Sequence, residues 1–386
     1  MPSFQPQKKF SQAMLKATRL TSIGKLLDAT RLIQQSLFGV SPRADRKAPP
    51  GAQPESSRAA NDPYADTSPP AVIVLPAPAR PAQAEVPGGE GRKASFTKHA
   101  FTFEGDSYPY RLYVPPTATA GAAAERMPLV VLLHGCKQDA LDFAHGTAMN
   151  TLADQHNAMV LYPEQITSSN AMRCWNWFDP SHQQAGRGEP GMIAALTQKM
   201  IAQNHADPAR IYVAGLSAGG AMAAVVANLY PHLFAAVGVH SGLAAGAAQS
   251  VMQAFSAMQE GAKGSHTTAL PTIVFQGTAD QTVNPSNARY ITQAALAAFK
   301  AEGLELVKSK AEVNADMAPS ADAPAERTLY SDASGKPFVE SWRVTDGPHA
   351  WSGGNAQGSY TDPDGPDASA AMLAFFLRHH KGPSAP

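Results

Sequence analysis

The segment Gly215-Leu216-Ser217-Ala218-Gly219 constrains the fold of this chain more than any other. The apolar run Ile211-Tyr212-Val213-Ala214 leads into it, and the small, helix-compatible run Gly220-Ala221-Met222-Ala223-Ala224 leads out. A strand that turns through G-x-S-x-G into a helix lifts the serine hydroxyl above the sheet on a sharp, strained bend. A Cβ two positions either side of the serine would collide with the neighbouring strand or helix, and both positions are glycine. A bare Gly/Ser pentapeptide also fits an inert loop. The flanking strand and helix make Ser217 a candidate nucleophile.

Around this turn the chain alternates short apolar runs with helical stretches. The runs are 128–133, 158–162, 235–239, 271–275 and 339–344, and helices are expected at about 190–205, 218–230, 286–302 and 367–380. Strands that read as continuous apolar runs are buried on both faces, which predicts an α/β protein with a mostly parallel sheet between helices. An entry hairpin is expected where Phe101, Phe103, Tyr108, Tyr110, Leu112 and Val114 alternate around Glu104-Gly105-Asp106.

In such a sheet, chemistry gathers beyond the carboxyl ends of the strands. A serine is a weak nucleophile at neutral pH and needs a base, which an acid must orient. With the G-x-S-x-G turn, the chain order is Ser, then Asp or Glu, then His. Asp280, after the run ending at Phe275, and His349, after the last run, meet that order. Asp332 and Asp346 are rival acids. His240 is a rival base, but it precedes all of these acids. His134-Gly135-Cys136 ends the earlier strand, where a second oxyanion donor is expected. The useful groups there are the main-chain N–H of Cys136 and Ala218, with His134 buttressing the loop. No metal or organic cofactor is implied.

Taken together, these residues resemble the poly(3-hydroxybutyrate) depolymerase family of esterases within the α/β-hydrolase superfamily, relatives of feruloyl and acetylxylan esterases. The resemblance rests on His134-Gly135-Cys136-Lys137-Gln138, Cys174-Trp175-Asn176-Trp177-Phe178, the Ser217 turn through Gly220, Gly277-Thr278-Ala279-Asp280 with Val283, and His349-Ala350-Trp351-Ser352-Gly353-Gly354. A final stretch from Tyr360 to Ser369 is also similar. The likeness covers roughly 95–380 and implies an α/β-hydrolase fold, with Ser217 as nucleophile, Asp280 as acid and His349 as base. It also implies a mainly hydrophobic acyl or polyester substrate, such as short-chain polyhydroxyalkanoate or its oligomers. A feruloyl- or acetylxylan-type esterase is the alternative, and a granule- or surface-associated binding protein on a hydrolase scaffold is a second. Trp175, Trp177 and Trp351 lie in loops and are expected to line an apolar substrate groove, with plain packing of a long loop as the alternative. Cys136 and Cys174 are the only cysteines. A bridge between them would tie the aromatic loop to the floor of the site, in an oxidising compartment; the sequence leaves both states open.

The remaining residues divide the chain into three parts. Residues 1–40 carry Lys8, Lys9, Lys16, Arg19, Lys25 and Arg31 against Asp28 alone, with Met14, Leu20, Ile23, Leu27, Leu32, Ile33 and Leu37 at helical spacing. They are expected to form a basic amphipathic helical segment that packs on the catalytic domain or touches an anionic or hydrophobic surface. No apolar h-region follows, so a standard secretory signal is not expected. The compartment stays open between the cytoplasm and a non-standard export route. Residues 41–92 read as a Pro/Ala-rich linker, and 93–382 as the catalytic domain. Lys+Arg and Asp+Glu balance at 31 each, so no net field points to nucleic acid. No apolar run approaches the ~20 residues of a membrane-spanning helix.

Overall fold

The computed structural model describes residues 93–116, 126–203, 206–264, 268–313 and 325–382. The basic segment expected at 1–40 and the linker expected at 41–92 lie outside the described residues. The hairpin at the start is built from β1 (Ser95–Phe103) and β2 (Asp106–Val114), paired antiparallel from Ser95↔Val114 to Phe103↔Asp106. It delivers the chain to the edge of a ten-stranded sheet.

The sheet continues with β3 (Met127–Leu133), β4 (Met159–Pro163), β5 (Ala206–Leu216), β6 (Ala236–His240), β7 (Thr272–Gly277), β8 (Val307–Ala311), β9 (Ala325–Ser331) and β10 (Pro337–Val344). The strand order is β1-β2-β4-β3-β5-β6-β7-β10-β9-β8. The central run β4-β3-β5-β6-β7-β10 is parallel throughout, and the antiparallel pairs are confined to the two flanks. Two further two-residue strands, β11 (Trp351–Ser352) and β12 (Thr361–Asp362), pair apart from the main sheet.

The central strands show why their sequences do not alternate. Leu129, Val131 and Leu133 of β3, with Ile211 and Val213 of β5, pack into one core layer. Val130, Leu132, Tyr212 and Ala214 pack into the layer on the other face. The first layer is closed by α3 (Gly188–Gln203), α4 (Ala218–Leu229), α5 (Val251–Glu260) and α6 (Ser286–Ala301). The second is closed by α1 (Ala140–Thr147), α2 (Met149–Gln155) and α7 (Ala368–Phe376). Both faces are apolar, so period 2 is erased from the sequence.

Four expected helices are present within two or three residues of their expected starts, and α7 stops four residues short of its expected end. The helices α1, α2 and α5 and the strands β8 and β9 were not anticipated. α1 and α2 are only eight and seven residues long, too short for a clear helical period. Their legible signal is local: Asp139 caps α1 by accepting from the N–H groups of Leu141 and Asp142. On β8 the residues are mostly exposed, so it lacks the apolar pattern that marks the central strands.

Parallel register sets the strand ends level. Leu133 lies opposite Gly215, Leu216 opposite His240, His240 opposite Phe275, and Gly277 opposite Val344. The loops that follow β3, β5, β6, β7 and β10 therefore open on one edge of the sheet, and these are the loops that carry the candidate residues.

Candidate active site

Ser217 occupies the bend between β5 and α4 with φ 57° and ψ −119°, a left-handed conformation that a side-chain-bearing residue rarely holds. Its N–H donates to the main-chain oxygen of His240 at 2.9 Å, and its own oxygen accepts from Ala221 N at 2.9 Å. The bend exists because its neighbours have no side chains. A Cβ on Gly219 would lie 2.1 Å from Leu133 O, and one on Gly215 would lie 2.4 Å from the Gly219 carbonyl carbon.

Asp280 and His349 are brought together by loops knitted across β7 and β10. Thr278 N donates to Val344 O at 2.9 Å, Ala279 N to Gly347 O at 3.1 Å, and Asp346 N to Thr278 Oγ1 at 2.8 Å. The result is a 2.8 Å hydrogen bond from His349 Nδ1 to Asp280 Oδ2. Asp280 accepts three further bonds, from Gln276 Nε2, Thr282 N and Val283 N. Burial works to raise its pKa, but the His349 bond and charge and the two main-chain donors outweigh this and hold it below the ordinary carboxylate value. An ionised Asp280 keeps the proton of His349 on Nδ1 and leaves Nε2 as the acceptor.

The rival residues sit elsewhere. Asp332 lies in the turn before β10, at the opposite edge of the sheet, and binds Ser334 and Lys336 N in solvent. Asp346 is exposed. His240 is buried with its ring stacked on Phe275 and on Trp351 at 5.6 and 5.0 Å, and its Nε2 accepts from Ser352 N at 3.0 Å. Burial, reinforced by the nearby charge of His349, pulls its pKa down to about 3, so it stays neutral and engaged.

At the end of β3, His134 is a buried strut. Its Nδ1 lies 2.8 Å from Gly135 O, and its Nε2 accepts from Gln165 N at 3.1 Å. Burial lowers its pKa to about 4. The following turn uses most of its N–H groups internally. Gly135 N donates to Gln138 Oε1 at 2.9 Å, Lys137 N to Met172 O at 2.7 Å, and Gln138 N to Gly135 O at 3.3 Å. Among the described residues no acceptor is found for the N–H of Cys136. Ala218, first residue of α4, has no intrahelical acceptor for its N–H either.

Cys136 and Cys174 form a disulfide. It joins this turn to the aromatic loop, but that loop is not a groove wall. Trp175, Trp177 and Trp351 are only 0%, 4% and 1% exposed. This corrects the expectation that they line a substrate groove. Trp175 donates to His134 O at 3.1 Å and Trp351 to Ser369 Oγ at 3.0 Å. All three indoles bury their apolar faces, and the N–H groups of Trp175 and Trp351 find internal acceptors, so they brace the loops and offer solvent no groove wall.

Sequence reasoning missed two groups at the site. Gln138 takes Gly135 N and donates to Asp142 and to Ser359 O, holding one side of the turn. Glu189, on the other side, is fully buried. Its only sequence signal, an acidic residue in the first turn of a helix, is shared by countless exposed glutamates.

These histidines have a measurable consequence. His134, His240 and His379 have folded pKa values of about 4, 3 and 3, well below the value of about 6.5 for an unfolded histidine. Each takes up a proton on unfolding at pH 4.5–6. His182 acts oppositely: burial lowers its pKa, but the hydrogen bond and charge of Glu189 prevail and raise it. Its contribution is present below the unfolded pKa and is lost as pH rises through the folded one. Burial also lowers the pKa of His156, so the depressed histidines outnumber the raised one. The balance is a net uptake of protons on unfolding, and stability is expected to fall as pH drops from 7 to 5. Urea unfolding at several pH values measures this, and a flat profile would contradict it.

The Esterase PHB depolymerase family model matches residues 108–298. The chain is 31% identical over 236 residues to poly(3-hydroxyalkanoate) depolymerase C of Paucimonas lemoignei, covering 56% of this chain and 53% of that protein. It is 37% identical over 146 residues to feruloyl esterase B of Neurospora crassa, covering 36% and 48%. The chain thus spans about half the length of these relatives. Among solved structures, an acetyl xylan esterase from Aspergillus awamori superposes with a TM-score of 0.54 at 20% identity, covering 73% of this chain and 99% of that one. The fold is the α/β-hydrolase fold expected from the sequence.

Proposed function

We propose that the chain is a serine carboxylesterase that acts through an acyl-enzyme. The observation that carries this reading is the 2.8 Å bond between His349 Nδ1 and an ionised, four-times hydrogen-bonded Asp280, on the same sheet edge as the strained Ser217 bend. Ser217 Oγ attacks the ester carbonyl carbon while His349 Nε2 takes its proton. The tetrahedral oxyanion is met by the N–H groups of Cys136 and Ala218. The intermediate collapses, and His349 returns the proton to the departing alcohol. Water then attacks the acyl-enzyme with His349 again as base, releasing the acid and restoring Ser217. Asp280 keeps the imidazole in the tautomer that leaves Nε2 free.

The substrate class is a hydrophobic acyl or hydroxyalkanoate ester, and short-chain polyhydroxyalkanoate or its oligomers are the first choice. The similarity to a poly(3-hydroxyalkanoate) depolymerase supports this. The similarity to feruloyl and acetylxylan esterases supports a carbohydrate-linked ester as the second reading. The basic N-terminal segment is proposed to reach a polymer granule or other anionic or apolar surface. Among the described residues, no helix is long and apolar enough to cross a membrane.

One experiment tests these points together. The full chain is expected to take up a fluorophosphonate probe at Ser217 and to hydrolyse p-nitrophenyl butyrate and hydroxybutyrate oligomers faster than methyl ferulate. A chain beginning at Gly91 is expected to keep turnover on soluble esters but to lose salt-sensitive attachment to polymer granules. No labelling would exclude the esterase reading. Faster turnover of methyl ferulate would favour the second substrate class, and undiminished granule attachment after truncation would remove the surface role of the N-terminal segment.

A further inference from the structure

The buried carboxylate of Glu189 lies outside the residues that perform the proposed chemistry, yet it is the hub of the bonds that hold the oxyanion turn. It is the second residue of α3, where the positive end of the helix favours an anion. Its Oε1 accepts from Gln165 Nε2 at 2.5 Å and from Asn176 Nδ2 at 2.6 Å. Its Oε2 accepts from Asn176 N at 2.7 Å and lies 3.2 Å from His182 Nδ1. Every hydrogen bond it accepts comes from an N–H group, and a carboxylate is the one side chain of this size that presents acceptors alone.

Five links tie this hub and the 172–176 loop to the turn. Gln165 N donates to His134 Nε2, and Gln165 Nε2 also donates to Cys174 O at 3.0 Å. Trp175 Nε1 donates to His134 O, Lys137 N donates to Met172 O, and the disulfide closes the circuit from Cys174 to Cys136. A displacement of the 172–176 loop is therefore passed to the N–H of Cys136.

We infer that Glu189 is a positioning residue for the oxyanion donor: by gathering Gln165 and Asn176 it sets where the Cys136 N–H points, an assignment that rests on the esterase reading above. The transition state gains more from a well-aimed N–H than the bound ester does, because charge develops on the oxygen only as the tetrahedral adduct forms. A misaligned donor should thus appear in kcat and leave KM nearly untouched. Shifts of about 1 Å are enough for large losses at such a site.

The test is Glu189→Gln, which keeps the shape but turns an NH2 toward donors on one side or the other. Active sites are titrated with a fluorophosphonate, and p-nitrophenyl butyrate turnover is expressed per titrated site. The variant is expected to lose kcat on the order of 10- to 100-fold with KM within about twofold. Its Ki for phenylboronic acid, which forms a tetrahedral adduct on the serine, should rise by a similar factor. Gln165→Met removes the side-chain bonds to Glu189 and to Cys174 O while keeping the carboxylate and the main-chain bond to His134, and is expected to act alike if E189Q does not fold. Unchanged kcat and Ki per titrated site in either folded variant, with only the active fraction or Tm lowered, would make the role purely structural and overturn the inference. A wild-type chain that neither hydrolyses the ester nor takes up the probe would instead overturn the esterase reading itself.

Discussion

Replacing Ser217 by Ala, His349 by Ala or Asp280 by Asn is expected to lower kcat by roughly 10⁴-fold or more in each case. The three losses should not multiply, because the residues share one proton-coupled step and removing any one member already abolishes it. For Asp280 the reason is visible in its partners. The carboxylate accepts from His349, Gln276, Thr282 and Val283. An asparagine must turn its NH2 toward some of these donors. It either opposes His349 Nδ1–H, which drives the proton to Nε2, or gives up the main-chain N–H groups that hold the loop. Near-wild-type turnover in Asp280→Asn, measured on p-nitrophenyl butyrate with folding checked by circular dichroism, would show that another carboxylate orients the base.

Gly219→Ala is expected to be among the most damaging single-methyl changes in the described chain. The added Cβ would sit 2.1 Å from Leu133 O and 2.5 Å from His134 O, both main-chain atoms of the strand next to β5. No rotamer change relieves such a contact, so either β3 moves or α4 tilts. A loss of ~3 kcal/mol or more is expected, with activity abolished in any protein that still folds. Gly303→Ala is the control: it has φ +85° but nothing within 4 Å of its new Cβ, so only backbone strain of about 1 kcal/mol is expected. Urea denaturation of the two variants should separate them clearly. Equal stabilities would mean that β3 and the Ser217 bend do not approach as closely as described.

The Glu104-Gly105-Asp106 hairpin and the central strands were legible because their signals are local. A turn tripeptide between alternating residues needs only its neighbours to act, and a run such as Leu129 to Leu133 is apolar wherever it ends up. The Ser217 bend was legible for the same reason, since strand, turn and helix are contiguous. Asp280, Asp332 and Asp346 all lie between Ser217 and His349, so chain order does not separate them. Asp280 stands apart because it follows the apolar run ending at Phe275, whereas Asp332 precedes the last run and Asp346 is too near His349. The structure adds that Asp332 lies at the far edge of the sheet. The tryptophans misled the sequence reading because a loop position predicts exposure only on average. Trp351 is drawn inward by His240, Phe143 and Ser369, residues that lie at least 18 positions away.

By itself, the sequence determined the α/β architecture, the strand–turn–helix at Ser217, and the order in which a nucleophile, an acid and a base could follow one another. Those are properties of short segments and of their succession. Tertiary structure alone decided the pairing of Cys136 with Cys174, the burial of the three indoles, and the convergence of Gln165 and Asn176 on Glu189. Each depends on which segments meet after the sheet closes. A buried carboxylate is stable only when several donors from distant positions reach it together, and no local pattern around Glu189 announces that they will.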